Sequence, residues 1–88
     1  CMCPDYVFVP RAEVDRFCDT VLDEWRRTLP AIVGNPEYTA IVNTSNYERV
    51  VGLIDDAVAK GAVRRDAAPA GERLPDAGVR KIAPTLLT

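Results

Sequence analysis

Six side chains near the start of this 88-residue chain, Val14, Phe17, Cys18, Val21, Leu22 and Trp25, fall at i, i+3, i+4, i+7, i+8 and i+11. That spacing lays all six along one stripe of an α-helix and is incompatible with a strand, whose side chains alternate with a period of two. Glu13 and Asp15 stand near the start and Arg26 and Arg27 near the end, as the helix dipole favours. Pro30 stops the pattern, because the residue before a proline is pushed out of the helical region. The spacing predicts a helix from about Arg11 to Thr28. A helix this short draws its stability from burying its apolar face, so the rest of the chain must cover that stripe.

The remaining segments supply candidates. Tyr6-Val7-Phe8-Val9 is a continuous apolar run of β-formers ending at Pro10, and reads as a strand buried on both faces. Gly34-Asn35-Pro36 is a turn signal. Tyr47, Val50, Val51, Ile54, Ala57 and Val58 give a second helical stripe, to about Lys60. Asn43, Thr44 and Ser45 are N-cap candidates, and Ser45 with Glu48 has capping-box spacing. Gly61 suits the residue that closes a helix. Gly52 costs that helix about 1 kcal/mol against alanine, and a close packing contact would explain it. Ala62-Val63-Arg64 reads as a short strand, Asp66 to Gly78 as a loop, and Lys81 to Leu87 as a strand in which Pro84 marks an edge, a bulge or a start. The order is strand, helix, helix, short strand, loop, strand. This is an α/β pattern whose outer strands need neighbours, so the chain reads as a segment cut at both ends.

Composition removes several functions. Eleven basic and thirteen acidic residues give a net charge of −2, and no helix carries a basic stripe, so no nucleic-acid partner is expected. No run of about 18 apolar residues exists to span a membrane, and no signal peptide is visible. Three cysteines spaced this way are a poor disulfide framework, since Cys1 and Cys3 are too close to bridge without strain. Reduced thiols in the cytoplasm fit best. The chain has no histidine, which excludes a Cys-His or Ser-His dyad and the mixed Cys/His zinc sites within it. Cys18, on the helical stripe, reads as a small core side chain. Glu13, Glu24, Glu37 and Glu48 read as solvated charges. Cys1 and Cys3 are left as candidate nucleophiles, and the residues alone do not choose between them.

The motif Cys1-x-x-Pro4-Asp5-Tyr6-Val7 resembles the segment around the catalytic cysteine of NAD(P)-dependent aldehyde dehydrogenases, most closely the branch with the class 3 and coniferyl aldehyde enzymes. Asn35-Pro36-Glu37-Tyr38, Ile41-Val42-Asn43 with Tyr47-x-Arg49, and Lys81-x-x-Pro84-Thr85-Leu86-Leu87 resemble later motifs of that family, in order. The resemblance implies that Cys1 is the nucleophile, because the motif places it three residues before the proline. Cys3 then stands where the family carries a small residue. It implies a thiohemiacetal formed on an aldehyde, hydride loss to NAD or NADP, and hydrolysis of a thioester by a water that a glutamate activates. It also implies that residues 1–88 are part of a catalytic domain without its cofactor-binding domain, so that the segment alone is inactive and binds no cofactor. The alternative from a different class is a non-enzymatic α/β structural or interaction module with an incidental N-terminal thiol, its unpaired strands associating with copies of itself. A lipid-anchored cysteine and a two-cysteine metal module are weaker rivals. The first would need a flexible tether where a strand is expected, and the second lacks enough ligands.

Overall fold

Pro10 opens the first helix, since its carbonyl accepts the Glu13 N–H at 2.8 Å to form a single 3-10 turn over Arg11–Glu13. The chain continues directly into α1, Val14–Thr28, in the computed structural model, which describes residues 3–88. Cys18 and Leu22 are buried on the expected stripe, and Val14, Phe17, Val21 and Trp25 are half-buried beside them. Cys18 is therefore the small core side chain that its position predicts. At the C-terminus, Leu29 turns to φ −125° and ψ 67° ahead of Pro30, while its N–H still donates to Trp25 O at 2.7 Å.

The second stripe forms α2, Thr44–Ala59. Asn43 caps it from an extended conformation, with Oδ1 accepting the Asn46 N–H at 2.8 Å. The capping box expected at Ser45 and Glu48 is not used. Ser45 already lies inside the helix, so the i, i+3 cap sits two residues earlier, at Asn43 and Asn46. Gly61, at φ 103°, closes the helix as expected. Gly52 is exposed, with open space where a Cβ would stand, so no packing contact requires it.

The sheet has two strands. β1, Arg64–Asp66, pairs antiparallel with β2, Thr85–Leu87, with Arg65 opposite Leu86. Val63 and Thr88 extend the ladder by exchanging bonds of 2.8 and 3.1 Å. β1 begins two residues later than the sequence suggested, and β2 is only the last part of the expected strand. Pro84, which has no N–H to give a ladder, sits just ahead of β2 and accepts from Ala67 N at 3.1 Å. The largest correction concerns Tyr6-Val7-Phe8-Val9, which is not a strand and is not buried. Phe8 is 91% exposed, and its ring stands edge-to-face with that of Tyr6 at a centroid distance of 5.5 Å. A strand exists only where a neighbour accepts its N–H groups, and among the described residues no ladder reaches this run.

Two packing units result. Tyr47, Ile54 and Ile82 form a core flanked by Ile41, Val50 and Val51, so α2 lies against the segment that leads into β2. Near β1, α1 is tied by the Arg65 to Asp15 ion pair at 2.7 Å and by Arg26 Nη2 donating to Asp66 O at 3.3 Å. Arg64 Nε lies 3.3 Å from Asp66 Oδ2, an ion-pair distance without the alignment of a hydrogen bond. Among the described residues the architecture is a small mixed α/β arrangement of two α-helices and a two-stranded antiparallel sheet.

Candidate functional site

Cys1, the expected nucleophile, lies outside the described residues. Residues Cys3 to Val9 run along a groove whose other walls are the apolar face of α1 and the strand β2. Phe17, Cys18 and Trp25 line it from the helix, and Leu86 and Leu87 from the strand. Cys3 is exposed, and its Sγ–H points toward Pro4 O across 3.8 Å, a weak contact. Asp5 and Tyr6 are exposed as well, so Tyr6 does not pack in a sheet. Among the described residues, Cys3, Asp5 and Tyr6 are thus not brought onto a general base or an oxyanion donor. Glu13, Glu24, Glu37 and Glu48 are all at the surface, as expected. Glu24 faces Arg27, and that guanidinium holds its carboxyl below the ordinary carboxylate range. No group of three or more Cys, Asp or Glu side chains among the described residues could hold a metal. No helix among them is long and apolar enough to cross a membrane.

The densest polar arrangement is elsewhere, and sequence reasoning missed it. Lys81 is 8% exposed and is the one charged residue among the buried ones described. Its ammonium donates to the carbonyls of Ile32 at 2.9 Å, Val33 at 3.2 Å and Asn35 at 2.9 Å. Glu72 holds the same turn from its other side, accepting from Val33 N at 2.6 Å and from Ile32 N at 3.1 Å. Around Ile32, which is fully buried, the N–H groups of Ile32 and Val33 and the carbonyls of Ile32, Val33 and Asn35 all meet side chains from 39 to 49 residues away, and Ile32 O and Asn35 O accept backbone N–H groups as well. Tyr38 adds a further tie, its hydroxyl donating to Ile82 O at 2.6 Å. Burial pushes the Tyr38 phenol up from its ordinary range. Arg80, held at φ 52°, exchanges bonds with Ile41: Ile41 N donates to Arg80 O at 2.9 Å, and Arg80 Nε donates to Ile41 O at 2.8 Å. The consequence is a hydrogen-bonded block made of the 31–41 connection and the 72–83 segment, from which the chain leads into β2 beside the groove.

Along nearly its whole length the chain is similar to proteins named as aldehyde dehydrogenases. It is 45% identical over 87 residues to a protein of Caulobacter vibrioides named "Probable coniferyl aldehyde dehydrogenase", covering 99% of this chain and 18% of that protein. It is 40% identical over 87 residues, with the same coverage, to the coniferyl aldehyde dehydrogenase of Pseudomonas sp. strain HR199. The chain thus spans less than a fifth of the length of these curated relatives. No protein-family model matches it. No solved structure matches it either.

Proposed function

We propose that this chain is the part of an aldehyde dehydrogenase catalytic domain that begins at its nucleophile, and that Cys1 is that nucleophile. The observation that carries the reading is the 45% identity over 87 of the 88 residues to a protein named as a coniferyl aldehyde dehydrogenase. The Cys1-x-x-Pro4-Asp5-Tyr6 motif supports the choice of Cys1 over Cys3.

The chemistry assigned to the chain is confined to sulfur. The Cys1 thiolate adds to the aldehyde carbon, a C–S bond forms, and the carbonyl electron pair moves onto oxygen to give a thiohemiacetal. After that carbon has been oxidised, the resulting thioester is hydrolysed, releasing a carboxylic acid and restoring the thiolate. The described residues do not fit a dinucleotide. Neither α1 nor α2 opens on a glycine-rich turn, and at the start of α2 the Asn46 N–H is already taken by Asn43 Oδ1. Binding of NAD or NADP is therefore assigned to other parts of the whole enzyme. The substrate is an aldehyde of the coniferyl type, the compartment is the cytoplasm, and the isolated segment is inactive.

In the whole enzyme, Cys1→Ala is expected to lower kcat for coniferyl aldehyde oxidation by a factor on the order of 10⁴ or more, with Cys3→Ala retaining most activity. Measured turnover in the presence of NAD or NADP decides it. An active Cys1→Ala enzyme, or turnover by the 88-residue chain alone, would overturn the reading.

A further inference from the structure

The three carbonyls that meet Lys81 do more than satisfy one lysine. Their oxygens converge on the Lys81 ammonium at 2.9, 3.2 and 2.9 Å, and Lys81 as a residue is buried. Those separations suit a large monovalent cation that has shed water onto carbonyl dipoles. They are too long for magnesium at about 2.1 Å or calcium at about 2.3–2.6 Å. Glu72 strengthens the site without entering it. Val33 N donates to its carboxylate at 2.6 Å, and that N–H belongs to the same peptide group whose carbonyl, Ile32 O, faces the ammonium. The negative charge polarises this peptide toward the cation, so the two charges are coupled through one amide.

We propose that the turn from Ile32 to Asn35 is a carbonyl cage for a monovalent cation, filled by the tethered ammonium of Lys81. Shortening that side chain converts the cage into a binding site for free ammonium or potassium, with Glu72 supplying part of the affinity. The inference rests on the backbone geometry of the turn and is independent of the role assigned to Cys1.

The test compares the thermal midpoint of the whole protein carrying this segment, with and without Lys81→Ala, in ammonium, potassium, sodium and tetramethylammonium chlorides at one ionic strength. The Lys81→Ala protein is expected to gain several degrees, saturably, in ammonium and potassium over sodium and tetramethylammonium, whereas the unaltered protein does not discriminate. Adding Glu72→Gln to Lys81→Ala should weaken the apparent ammonium affinity several-fold. If the Lys81→Ala protein fails to fold in tetramethylammonium, refolding yield replaces the midpoint, and ammonium is expected to restore it. A response that does not depend on the identity of the cation, in either readout, overturns the proposal. So does an unchanged ammonium affinity after Glu72→Gln.

Discussion

Two stretches of irregular backbone meet opposite fates in this molecule. The segment 3–9 is rich in apolar side chains, yet Tyr6, Val7 and Phe8 all face solvent. The turn at 31–36 carries glycine, asparagine and proline, yet its Ile32 is fully buried. Side-chain hydrophobicity alone predicts the reverse. What separates them is whether the backbone finds partners. The turn's backbone receives side-chain partners from Glu72, Lys81 and its own Asn35. The run at 6–9 finds no ladder among the described residues, and an unpaired backbone polar group is held in water because burying it costs more than its side chains return.

The sharpest way to break this contrast is to remove the partner. Lys81→Met keeps the apolar stem of the side chain but withdraws the ammonium from three carbonyls; Ile32 O and Asn35 O still accept from the Asn35 and Tyr38 N–H groups, while among the described residues Val33 O is left without a donor, and the change should cost roughly 2 kcal/mol. Chemical denaturation should show a lower midpoint with an unchanged slope, and a loss well under 1 kcal/mol would show that the turn does not depend on the ammonium. Tyr38→Phe comes next, at about 1 kcal/mol for one lost hydrogen bond. This advantage has a pH signature. Burial raises the phenol above its ordinary value of 10.0, so the folded state favours the protonated form. The stability it contributes is present below pH 10 and is lost as pH rises through the raised value, so the gap between the native protein and Tyr38→Phe should close in alkali. A gap that is constant to pH 11 or beyond would refute the role given to the hydroxyl. The smallest effect belongs to the exposed run: Phe8→Ser should change stability by no more than about 0.5 kcal/mol. A cost several times larger would mean that Phe8 is covered in the protein as it exists in solution.

The same contrast explains what the sequence could reveal. Both helices were legible because their signals are local and repeated. Val14 to Trp25 and Tyr47 to Val58 each state the period several times over, and Leu29-Pro30 and Gly61 mark the ends. The placement of the cap was less legible, because Asn43, Thr44 and Ser45 all have suitable side chains and only the geometry selects Asn43. Tyr6 to Val9 has strand composition, but pairing is a property of two segments, and composition reports on only one. The Glu72 and Lys81 ties were invisible for a related reason. Glu72 lies in a stretch of loop charges and Lys81 at the edge of an apolar run, and each bond joins residues 39 or more positions apart with no spacing rule. At the proposed reactive end, motif resemblance selected Cys1 where residue chemistry alone left two thiols open.

The double grip on Ile32 and Val33 also sets a clock. Their amide protons are engaged by Glu72 at 3.1 and 2.6 Å, so deuterium can replace them only when the 72–83 segment lets go of the turn. Two residues in an irregular connection should therefore exchange as slowly as amides in the middle of α2, while those of Val7 and Phe8 exchange at rates close to an unfolded peptide. Hydrogen exchange followed by mass spectrometry or NMR would read both stretches in one experiment. Fast exchange at Ile32 and Val33 would mean that the grip is released often, and slow exchange would make this turn part of the most persistent unit in the chain.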